Sequence, residues 1–456
     1  MQAPSRNKHK GLIVAGMHSS GGKTAVTSLL LAALRKRNLA LQPFKVGPDY
    51  IDPGYHFHFS ATHSVNLDPW IMGREHVIQA AQQFTGNAIG LAEGVMGLFD
   101  GSDPTNDSGS TMEVARWLQW PILLVVPCQN AGRSITAAIQ GFVAEAGSAK
   151  HFVGIILNQV NSISHADYLR KACASLEIPI LGALPKISEL RWPERHLGLQ
   201  PGVEQRLPEA GHLAELAEKY FDLDLLFDNF SMPSTSSMKG RNTNRPISKF
   251  NKRIAVAQDE AFHFYYAANL RWLREQGVEI VTFSPLNDTR IPDNVDGLIL
   301  GGGFPEVFAE TMSENKTMLE SFKKAVESGM PCYAECGGLM VLAASLKLQS
   351  GHCLSMAEVV PGMVEMKKQL QHFGYCKINL PELGEVRGHE FHYSHWLEET
   401  NQANLWEVIR HSTGVSRNEG YRTANLHASY VHLYFPQAAS LIRGVLQLVP
   451  EGSARC

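Results

Sequence analysis

Strand-length apolar runs alternate with amphipathic helical stretches along the first two hundred or so residues, and this alternation constrains the fold most strongly. Strand, helix and strand in repetition predict a parallel sheet with helices on both faces. The predicted strands are Gly11–Ala15, Leu41–Val46, Ala88–Ala92, Pro121–Val126, Phe152–Leu157 and Ile180–Leu184. The predicted helices between them include Lys23–Arg37, Ser134–Ala146 and Ala166–Leu176. We therefore predict an open α/β domain with a ligand site at the carboxyl ends of its strands.

A second α/β series follows a break in the pattern. Residues 231–252 are rich in Ser, Asn and Lys, contain two prolines and have no apolar periodicity, which is typical of a linker. Beyond it we predict strands Ile254–Ala257, Glu279–Phe283, Gly297–Leu300 and Pro331–Ala334, helices Phe264–Gln276 and Pro305–Ser328, and antiparallel strands over about 351–396. The predicted organisation is therefore one domain over 11–230, a linker over 231–252 and a second domain over 253–449.

Composition excludes several classes of protein. The 456 residues are 44% hydrophobic and 19% charged, which suits two cores and excludes a disordered chain. A formal net charge of -3 argues against a nucleic-acid or membrane partner. The seven cysteines include no CxxC pair, and no apolar run reaches the length of a membrane span. We expect reduced thiols and a cytoplasmic protein.

A glycine-rich loop follows the first predicted strand. Its backbone N–H groups and the start of the next helix would face an anion, with Lys23 reaching the terminal phosphates and Thr24 ligating Mg²⁺. Five residues separate Gly16 from Gly22, one more than in the common P-loop. The strand–loop–helix context favours phosphate binding over a plain turn with a surface lysine. The predicted ATP-binding residues here are Gly16, Ser19, Ser20, Gly21, Gly22, Lys23 and Thr24.

Acidic residues follow two neighbouring predicted strands. Asp49 and Asp52 lie just after Leu41–Val46, and Glu93 directly follows Ala88–Ala92, with Asp100 further on. A carboxylate at the end of an apolar strand is costly unless it is paired or bound to a metal. Any one of these residues alone is equally well explained as a helix cap or a turn residue. Together at one sheet edge they predict a Mg²⁺–ATP site, because hard cations prefer oxygen ligands.

A cysteine stands at a predicted strand-to-helix elbow in the second domain. Cys336 follows strand Pro331–Ala334 and precedes Gly337 and Gly338, which permit a sharp turn that presents the sulfur at the start of a helix. The positive helix end favours the reactive thiolate. Cys332 and Cys376 fit ordinary buried thiols. An oxyanion pocket is predicted from the N–H groups of Gly301, Gly302 and Gly303.

Several histidines compete for the role of general base. We predict His432, near the end of a late β run, and consider His427 a rival whose odd spacing points it elsewhere. The string GHEFHYSH also suggests a metal site at His389, His392 and His395. Strand alternation places His392 on the opposite face from the other two, so a shared metal would need a kink and we do not predict one.

The motifs resemble a known family. The five-residue loop before Gly-Lys-Thr is similar to that of the dethiobiotin synthetase-type nucleotide-binding fold. The strings KVGPDYIDPGYH (45–56), NLDPW (66–70), EGVMGLFDG (93–101) and ERHLGL (194–199) resemble the a,c-diamide synthases of corrinoid biosynthesis, and the resemblance spans about 11–449. It implies a carbon–nitrogen ligase that phosphorylates the a and c carboxylates of cobyrinic acid with ATP and amidates them with glutamine nitrogen. Cobyric acid synthases carry a different string where KVGPDYIDP stands here.

The resemblance also implies residue roles. Thr24, Asp49 and Glu93 would hold Mg²⁺. Asp49 and Asp52 would position the substrate carboxylate, with support from Asp100. Asn158 would recognise the adenine edge, although it also fits a strand-end turn. The second half is similar to class I glutamine amidotransferases, which usually have a glutamate two residues after the histidine. Tyr434 occupies that place here. This departure implies a dyad of Cys336 and His432 and leaves open what orients the imidazole.

Other assignments stay open at this point. The same chemistry on hydrogenobyrinic acid or nickel-sirohydrochlorin fits the same motifs. A regulatory P-loop ATPase with a glutaminase-like binding module is an alternative from a different functional class. The resemblance implies ATP and Mg²⁺ as cofactors, and glutamine and a corrin-type polycarboxylic acid as small-molecule partners. Ammonia would lose its nucleophilicity by protonation in water, so the two sites must face each other or be brought together by a dimer, and we expect a homodimer.

Overall fold

The computed structural model describes residues 10–190, 207–228, 230, 250–380, 384–397 and 405–448. They belong to two compact units, one ending near residue 230 and one beginning near residue 250. Most of the predicted linker over 231–252 and the string at 194–199 lie outside the described residues. The domain boundaries therefore remain a prediction.

The first unit is built on a parallel seven-stranded sheet in the order β3-β2-β4-β1-β5-β6-β7. Its strands are β1 Gly11–Gly16, β2 Leu41–Val46, β3 Val65–Leu67, β4 Ile89–Glu93, β5 Ile122–Pro127, β6 Phe152–Val160 and β7 Ile180–Pro185. All six predicted strands are confirmed to within a few residues at their ends. Strand β3 was not predicted, because three residues with an asparagine at the centre give no periodic signal.

Eight α-helices are described in this unit: α1 Lys23–Lys36, α2 Asp52–Ser60, α3 Pro69–Thr85, α4 Thr111–Leu118, α5 Ile135–Ala146, α6 Ile163–Ala172, α7 Ala210–Tyr220 and α8 Leu223–Phe227. Every residue of α1 from Ala25 to Leu34 is buried, and the helix packs against α2 and α7. A helix that is apolar all round can only be stable inside a core. The start of α1 is thereby fixed at the carboxyl end of β1.

The second unit contains a six-stranded sheet in the order β20-β21-β11-β10-β8-β9, parallel except for the β20–β21 pair. Its strands are β8 Lys252–Ala257, β9 Val278–Phe283, β10 Gly297–Leu300, β11 Cys332–Glu335, β20 Tyr421–Arg422 and β21 Leu426–Ser429. The prediction of two open, mostly parallel sheets is confirmed, with a large parallel sheet in each unit.

Two smaller sheets complete the second unit, in the orders β13-β12-β14-β17 and β19-β18-β15-β16-β22. Their strands are β12 Ala343–Lys347, β13 Cys353–Ser355, β14 Val360–Met366, β15 His372–Leu380, β16 Gly384–His392, β17 Ser394–Leu397, β18 Trp406–Arg410, β19 Ser416–Glu419 and β22 His432–Leu433. The predicted β-rich segment is therefore confirmed. Most of its strand pairs are antiparallel, and β12 with β14 is a parallel pair.

The described helices of the second unit are α9 Ala267–Glu275, α10 Ala309–Glu314, α11 Lys316–Glu327, α12 Gly337–Leu342 and α13 Ala439–Val445. The single long helix predicted over Pro305–Ser328 was wrong. Asn315 ends α10 and its side chain accepts the N–H of Met318, so it caps the start of α11. Asparagine competes with the helix backbone for hydrogen bonds in this way and divides an otherwise helical pattern. Within the described ranges, no helix has the length and apolarity needed to cross a bilayer.

Candidate active sites

The predicted phosphate loop connects β1 to α1. Ser20 and Gly22 both have positive φ angles, 59° and 93°, and a loop with left-handed residues of this kind turns backbone N–H groups inward as an anion-binding nest. A Cβ at Gly22 would lie 2.0 Å from Nδ2 of Asn158, so only glycine fits there. Lys23 Nζ donates to the carbonyl oxygens of Met96 at 2.5 Å and His18 at 3.3 Å, so the ammonium lies over the loop. The geometry suits phosphate binding.

A buried carboxylate lies beside this loop. Glu93 is the last residue of β4, and Thr24 Oγ1 donates to its Oε1 at 2.7 Å. Lys45 Nζ lies 3.1 Å from the same oxygen, and His56 Nε2 lies 2.8 Å from Oε2. Burial raises the pKa of Glu93, but the charge of Lys45 and the hydrogen bonds from His56 and Thr24 outweigh it and hold that pKa well below its usual range. Glu93 is therefore an anion in the folded protein.

Lys45 and His56 are site residues that were not predicted from the sequence. Lys45 is buried in β2 and also lies 2.5 Å from Asp52 Oδ2 and 4.0 Å from Asp49 Oδ2. His56 is buried in α2, with Nδ1 2.9 Å from the Ser64 hydroxyl. A lysine inside an apolar strand was a usable signal, because buried lysine is rare unless it is paired. The local pattern contains no equivalent signal for His56.

The remaining predicted residues of the first site have local hydrogen bonds. Asp49 Oδ1 accepts the N–H groups of Ile51 at 2.8 Å and Asp52 at 3.1 Å. Asp100 Oδ2 accepts the N–H of Gly97 at 2.7 Å. Asn158 Nδ2 donates to Gly21 O at 2.9 Å, so this amide braces the phosphate loop. The proposed roles of Asp49, Asp100 and Asn158 towards Mg²⁺, substrate and adenine remain predictions.

The donor set at this edge fits Mg²⁺. The hydroxyl of Thr24 and the carboxylate of Glu93 are adjacent hard oxygen donors beside the loop. The carboxylate of Asp49 lies close to the same Lys45 ammonium that contacts Glu93. In the part of the chain that the structure describes, no group of three or more His, Cys, Asp or Glu residues is arranged to hold a metal alone. Mg²⁺ commonly binds through one or two protein oxygens together with substrate phosphates and water. Thr24 and Glu93 would supply such protein oxygens.

The second site begins with the sharp turn predicted at Cys336. This residue has φ 47° and ψ −97°, a conformation that is rare for any residue but glycine and is found where the surrounding structure enforces it. Its N–H donates to Ser429 O on β21 at 2.7 Å. A Cβ at Gly338 would lie 2.3 Å from Leu300 O, so the helix after the turn approaches β10 closely. The thiol therefore stands at a constrained strand-to-helix elbow.

His432 is buried, and its side chain interacts with that of Cys336; the catalytic role of this pair remains a prediction. Nδ1 of His432 lies 3.4 Å from Oε2 of Glu335, a distance that is longer than an ordinary hydrogen bond but within the range of an ion pair. Burial lowers the pKa of His432, but the contacts with Cys336 and Glu335 outweigh this and raise it to about 10. The imidazole is therefore held as a proton donor. Glu335 is a further residue that the sequence analysis did not assign.

The glycine loop after β10 lies against the same imidazole. A Cβ at Gly302 would come 2.6 Å from Cε1 of His432, and Gly301 O accepts the N–H of Gly338. The N–H of Gly301 donates to the Tyr265 hydroxyl at 2.8 Å, which competes with its predicted oxyanion role. Gly302 and Gly303 are thus the stronger candidates in this loop.

The other histidines lie in packed positions. His427 lies between the rings of Tyr333 and Trp406, and burial lowers its pKa to about 3. His389 stacks on His432 at 4.9 Å between ring centroids. Strand β16 ends at His392 and β17 begins at Ser394, so the GHEFHYSH string is divided between two sheets. This break separates His395 from the other two histidines of the string.

Comparison with known proteins matches both halves of the chain. Residues 12–199 match the CobQ/CobB/MinD/ParA nucleotide binding domain, and residues 253–440 match the CobB/CobQ-like glutamine amidotransferase domain. The fold and sites therefore define a glutamine-dependent ligase with a nucleotide-binding half and an amidotransferase half.

Full-length relatives define the family. A cobyrinate a,c-diamide synthase of Synechococcus sp. is 40% identical over 97% of this chain and 99% of its own length. Proteins with the same name from Syntrophotalea carbinolica and Leptospira interrogans are both 38% identical, over 93% and 96% of this chain and 95% and 97% of their own lengths. The chain belongs to the cobyrinate a,c-diamide synthase family.

Proposed function

We propose that this enzyme amidates the a and c side-chain carboxylates of cobyrinic acid, with ATP and glutamine, in cobalamin biosynthesis. The observation that carries this proposal is full-length similarity to relatives named for that substrate, in a chain that keeps a phosphate loop and a thiol–imidazole pair. Cobyrinic acid is preferred to hydrogenobyrinic acid and nickel-sirohydrochlorin because the relatives' names specify it.

The nitrogen-donor reaction proceeds at Cys336. The sulfur attacks the carbonyl carbon of the glutamine side chain, the C–N bond breaks, and protonated His432 gives its proton to the departing ammonia. Water then attacks the thioester, its proton returns to His432, and glutamate leaves with regeneration of the thiolate. The N–H groups of Gly302 and Gly303 face the oxyanion in both steps, and each such donor is worth about 3 kcal/mol of barrier.

The acceptor reaction proceeds at the phosphate loop. A carboxylate oxygen of the acid attacks the γ-phosphorus of ATP, and ADP leaves. Ammonia then attacks the acyl carbon, and inorganic phosphate leaves with formation of the amide. Lys23 and the loop N–H groups hold the phosphates, and Lys45 positions Glu93 and Asp52. Mg²⁺, held by Thr24 and Glu93, would neutralise the developing phosphate charge.

Product analysis tests the proposal. Purified protein is incubated with ATP, Mg²⁺, glutamine and one of cobyrinic acid, hydrogenobyrinic acid or nickel-sirohydrochlorin. The masses of the products are then measured by mass spectrometry. We expect a gain of two amide groups on cobyrinic acid. With ¹⁸O in the substrate carboxylates, inorganic phosphate should carry ¹⁸O, since the acyl phosphate transfers that oxygen. ATP hydrolysis without amidation of any acid would instead indicate a regulatory ATPase.

Two further parts of the proposal need separate measurements. We propose a cytoplasmic homodimer with domains over 11–230 and 253–449 and a linker over 231–252. Light scattering coupled to size exclusion would give a mass of twice 50.3 kDa for a dimer. Limited proteolysis should cut first between residues 231 and 252 if that segment is the linker.

A further inference from the structure

We propose that Glu335 is the positioning residue of the glutaminase centre, which orients His432 and stabilises its protonated form. This inference rests on the proposed glutaminase reaction of Cys336 and His432 and adds a third member to it. Glu335 immediately precedes the nucleophile in the chain. Tyr434, two residues beyond His432, has no carboxylate to offer the imidazole.

The carboxylate of Glu335 is held in one orientation by two neutral donors. Its Oε1 accepts the Tyr333 hydroxyl at 2.6 Å and the N–H of Leu433 at 3.0 Å. Tyr333 lies two residues earlier on β11, so both side chains are on the same face of the strand. Leu433 directly follows His432 in β22. Because Oε1 is fixed by both strands, Oε2 is directed at Nδ1 of His432, 3.4 Å away.

The strained backbone at Cys336 explains how two consecutive residues reach one imidazole. Neighbouring side chains of a strand point to opposite faces. The positive φ of 47° at Cys336 departs from that geometry, and both the thiol and the Glu335 carboxylate contact His432. With Nδ1 facing Glu335, Nε2 is the ring nitrogen left to exchange a proton with sulfur and with the departing ammonia.

The charges around His432 support the assignment. Glu335 is 5% exposed and His432 is 2% exposed, and a buried carboxylate must be paired to be tolerated. Facing the imidazole from β16 is His389, whose own pKa burial holds well below its usual value, so this neighbour is neutral. The thiol of Cys336 faces it from the elbow. Among the described residues named here that face the imidazole, Glu335 is the one whose carboxylate can balance a protonated His432.

The test replaces Glu335 in the full-length protein and measures kcat and KM for glutamine, and the ammonia-driven rate, across pH. For Glu335→Gln we expect kcat with glutamine to fall by about 100-fold, the low end of what a positioned acid–base group contributes. KM for glutamine and the ammonia-driven rate should stay within about threefold of the unmodified protein, because neither depends on proton transfer by His432. The alkaline limb of the kcat profile should move to lower pH, because His432 loses the anion that retains its proton.

Matched variants keep the test decisive. Glu335→Asp restores the charge and should recover part of kcat and the alkaline limb. If Glu335→Gln does not fold, Glu335→Asp still tests the inference, because its shorter side chain withdraws the carboxylate from Nδ1 and should lower kcat with glutamine relative to the unmodified protein. Tyr333→Phe removes one donor from the carboxylate and should give a smaller loss. Glu407→Gln makes the same change at an exposed position of β18 and should match the unmodified protein.

Three outcomes would overturn the inference: unchanged kcat in Glu335→Gln, equal losses with glutamine and ammonia, or a loss with no movement of the alkaline limb. The last two indicate a structural role in joining β11 to β22. Cys336→Ala in the same assay separates this from failure of the proposed function. If Cys336→Ala still uses glutamine, the glutaminase assignment itself fails. If only Glu335→Gln disagrees, the assignment of Glu335 alone fails.

Discussion

The two units each end a buried strand on a glutamate, and the two carboxylates are neutralised in different ways. Glu93 at the end of β4 contacts the cation Lys45, the imidazole of His56 and the hydroxyl of Thr24. Glu335 at the end of β11 has neutral donors on one oxygen and faces the reactive imidazole with the other. In the first unit, the residues that neutralise the charge of Glu93 also stabilise the folded chain. In the second, the charge is directed to the proposed catalytic base.

The largest effect should come from removing the cation of the first unit. Lys45→Met would leave Glu93 and Asp52 as buried anions without their shared partner, and breaking a buried pair in this way costs about 3–5 kcal/mol. We expect that loss in the free energy of unfolding, with loss of amidation from both glutamine and ammonia. Denaturant unfolding monitored by fluorescence measures the first, and the product assay measures the second.

A surface lysine gives the matched control. Lys324 pairs with Glu320 at 2.8 Å, but both side chains are mostly exposed. Lys324→Met should leave the free energy of unfolding close to that of the unmodified protein, because exposed ion pairs are screened by solvent and salt. Equal effects of the two substitutions would contradict a buried charge network at Lys45.

A smaller effect is expected from crowding the elbow of the second unit. The Cβ of Gly338→Ala would meet the carbonyl oxygen of Leu300, and overpacking of this kind costs about 1–3 kcal/mol. Because the shift displaces Cys336, amidation from glutamine should fall while amidation from ammonia is retained. Gly444→Ala, in α13 with open space at the new Cβ, is the control. Loss of both reactions in Gly338→Ala would show that its effect is not confined to the elbow.

Two of the buried histidines of the second unit, His432 and His427, should give pH effects of opposite sign. For His432 the pKa rises from 6.5 to about 10 on folding, so its contribution to stability is complete below pH 6.5 and is lost as pH rises to about 10. The difference in free energy of unfolding between the protein and His432→Gln should therefore shrink over that window. A difference that is constant or grows would contradict the assignment of a protonated His432.

The effect that is smallest at neutral pH concerns His427, because this side chain is then largely neutral in both the folded and the unfolded chain. Its pKa falls from 6.5 to about 3 on folding, so the unfolded chain binds a proton that the native state refuses, and stability is lost as pH falls from 6.5 towards 3. His427→Phe keeps a ring between Tyr333 and Trp406 and should lose less stability in acid. Chemical denaturation at a series of pH values measures it, and an unchanged acid sensitivity would contradict a neutral buried His427.

Local sequence patterns predicted most strands and helices, the phosphate loop and Cys336. They did not predict the residues that contact these groups in the folded chain, such as Lys45 and Glu335. Strand β1, the phosphate loop and Cys336 each combine a short apolar run with an adjacent glycine signal, which can be read from consecutive residues. Lys45 and Glu93 are 48 positions apart, and Glu335 and Leu433 are 98 positions apart. Such pairs depend on strand order in the sheet, which the periodicity of one segment does not specify. The break at Asn315 was missed because its cap forms inside an unbroken helical pattern.

We propose that one chain frees nitrogen at Cys336 and delivers it to an activated carboxylate. The protein is incubated with cobyrinic acid, ATP, Mg²⁺, glutamine labelled with ¹⁵N at the amide and unlabelled ammonium, and the mass of the product is measured. We predict two ¹⁵N amides from the unmodified protein at low ammonium, and two ¹⁴N amides from Cys336→Ala at high ammonium. Incorporation of ¹⁵N by Cys336→Ala, or no amide from either protein, would contradict the account.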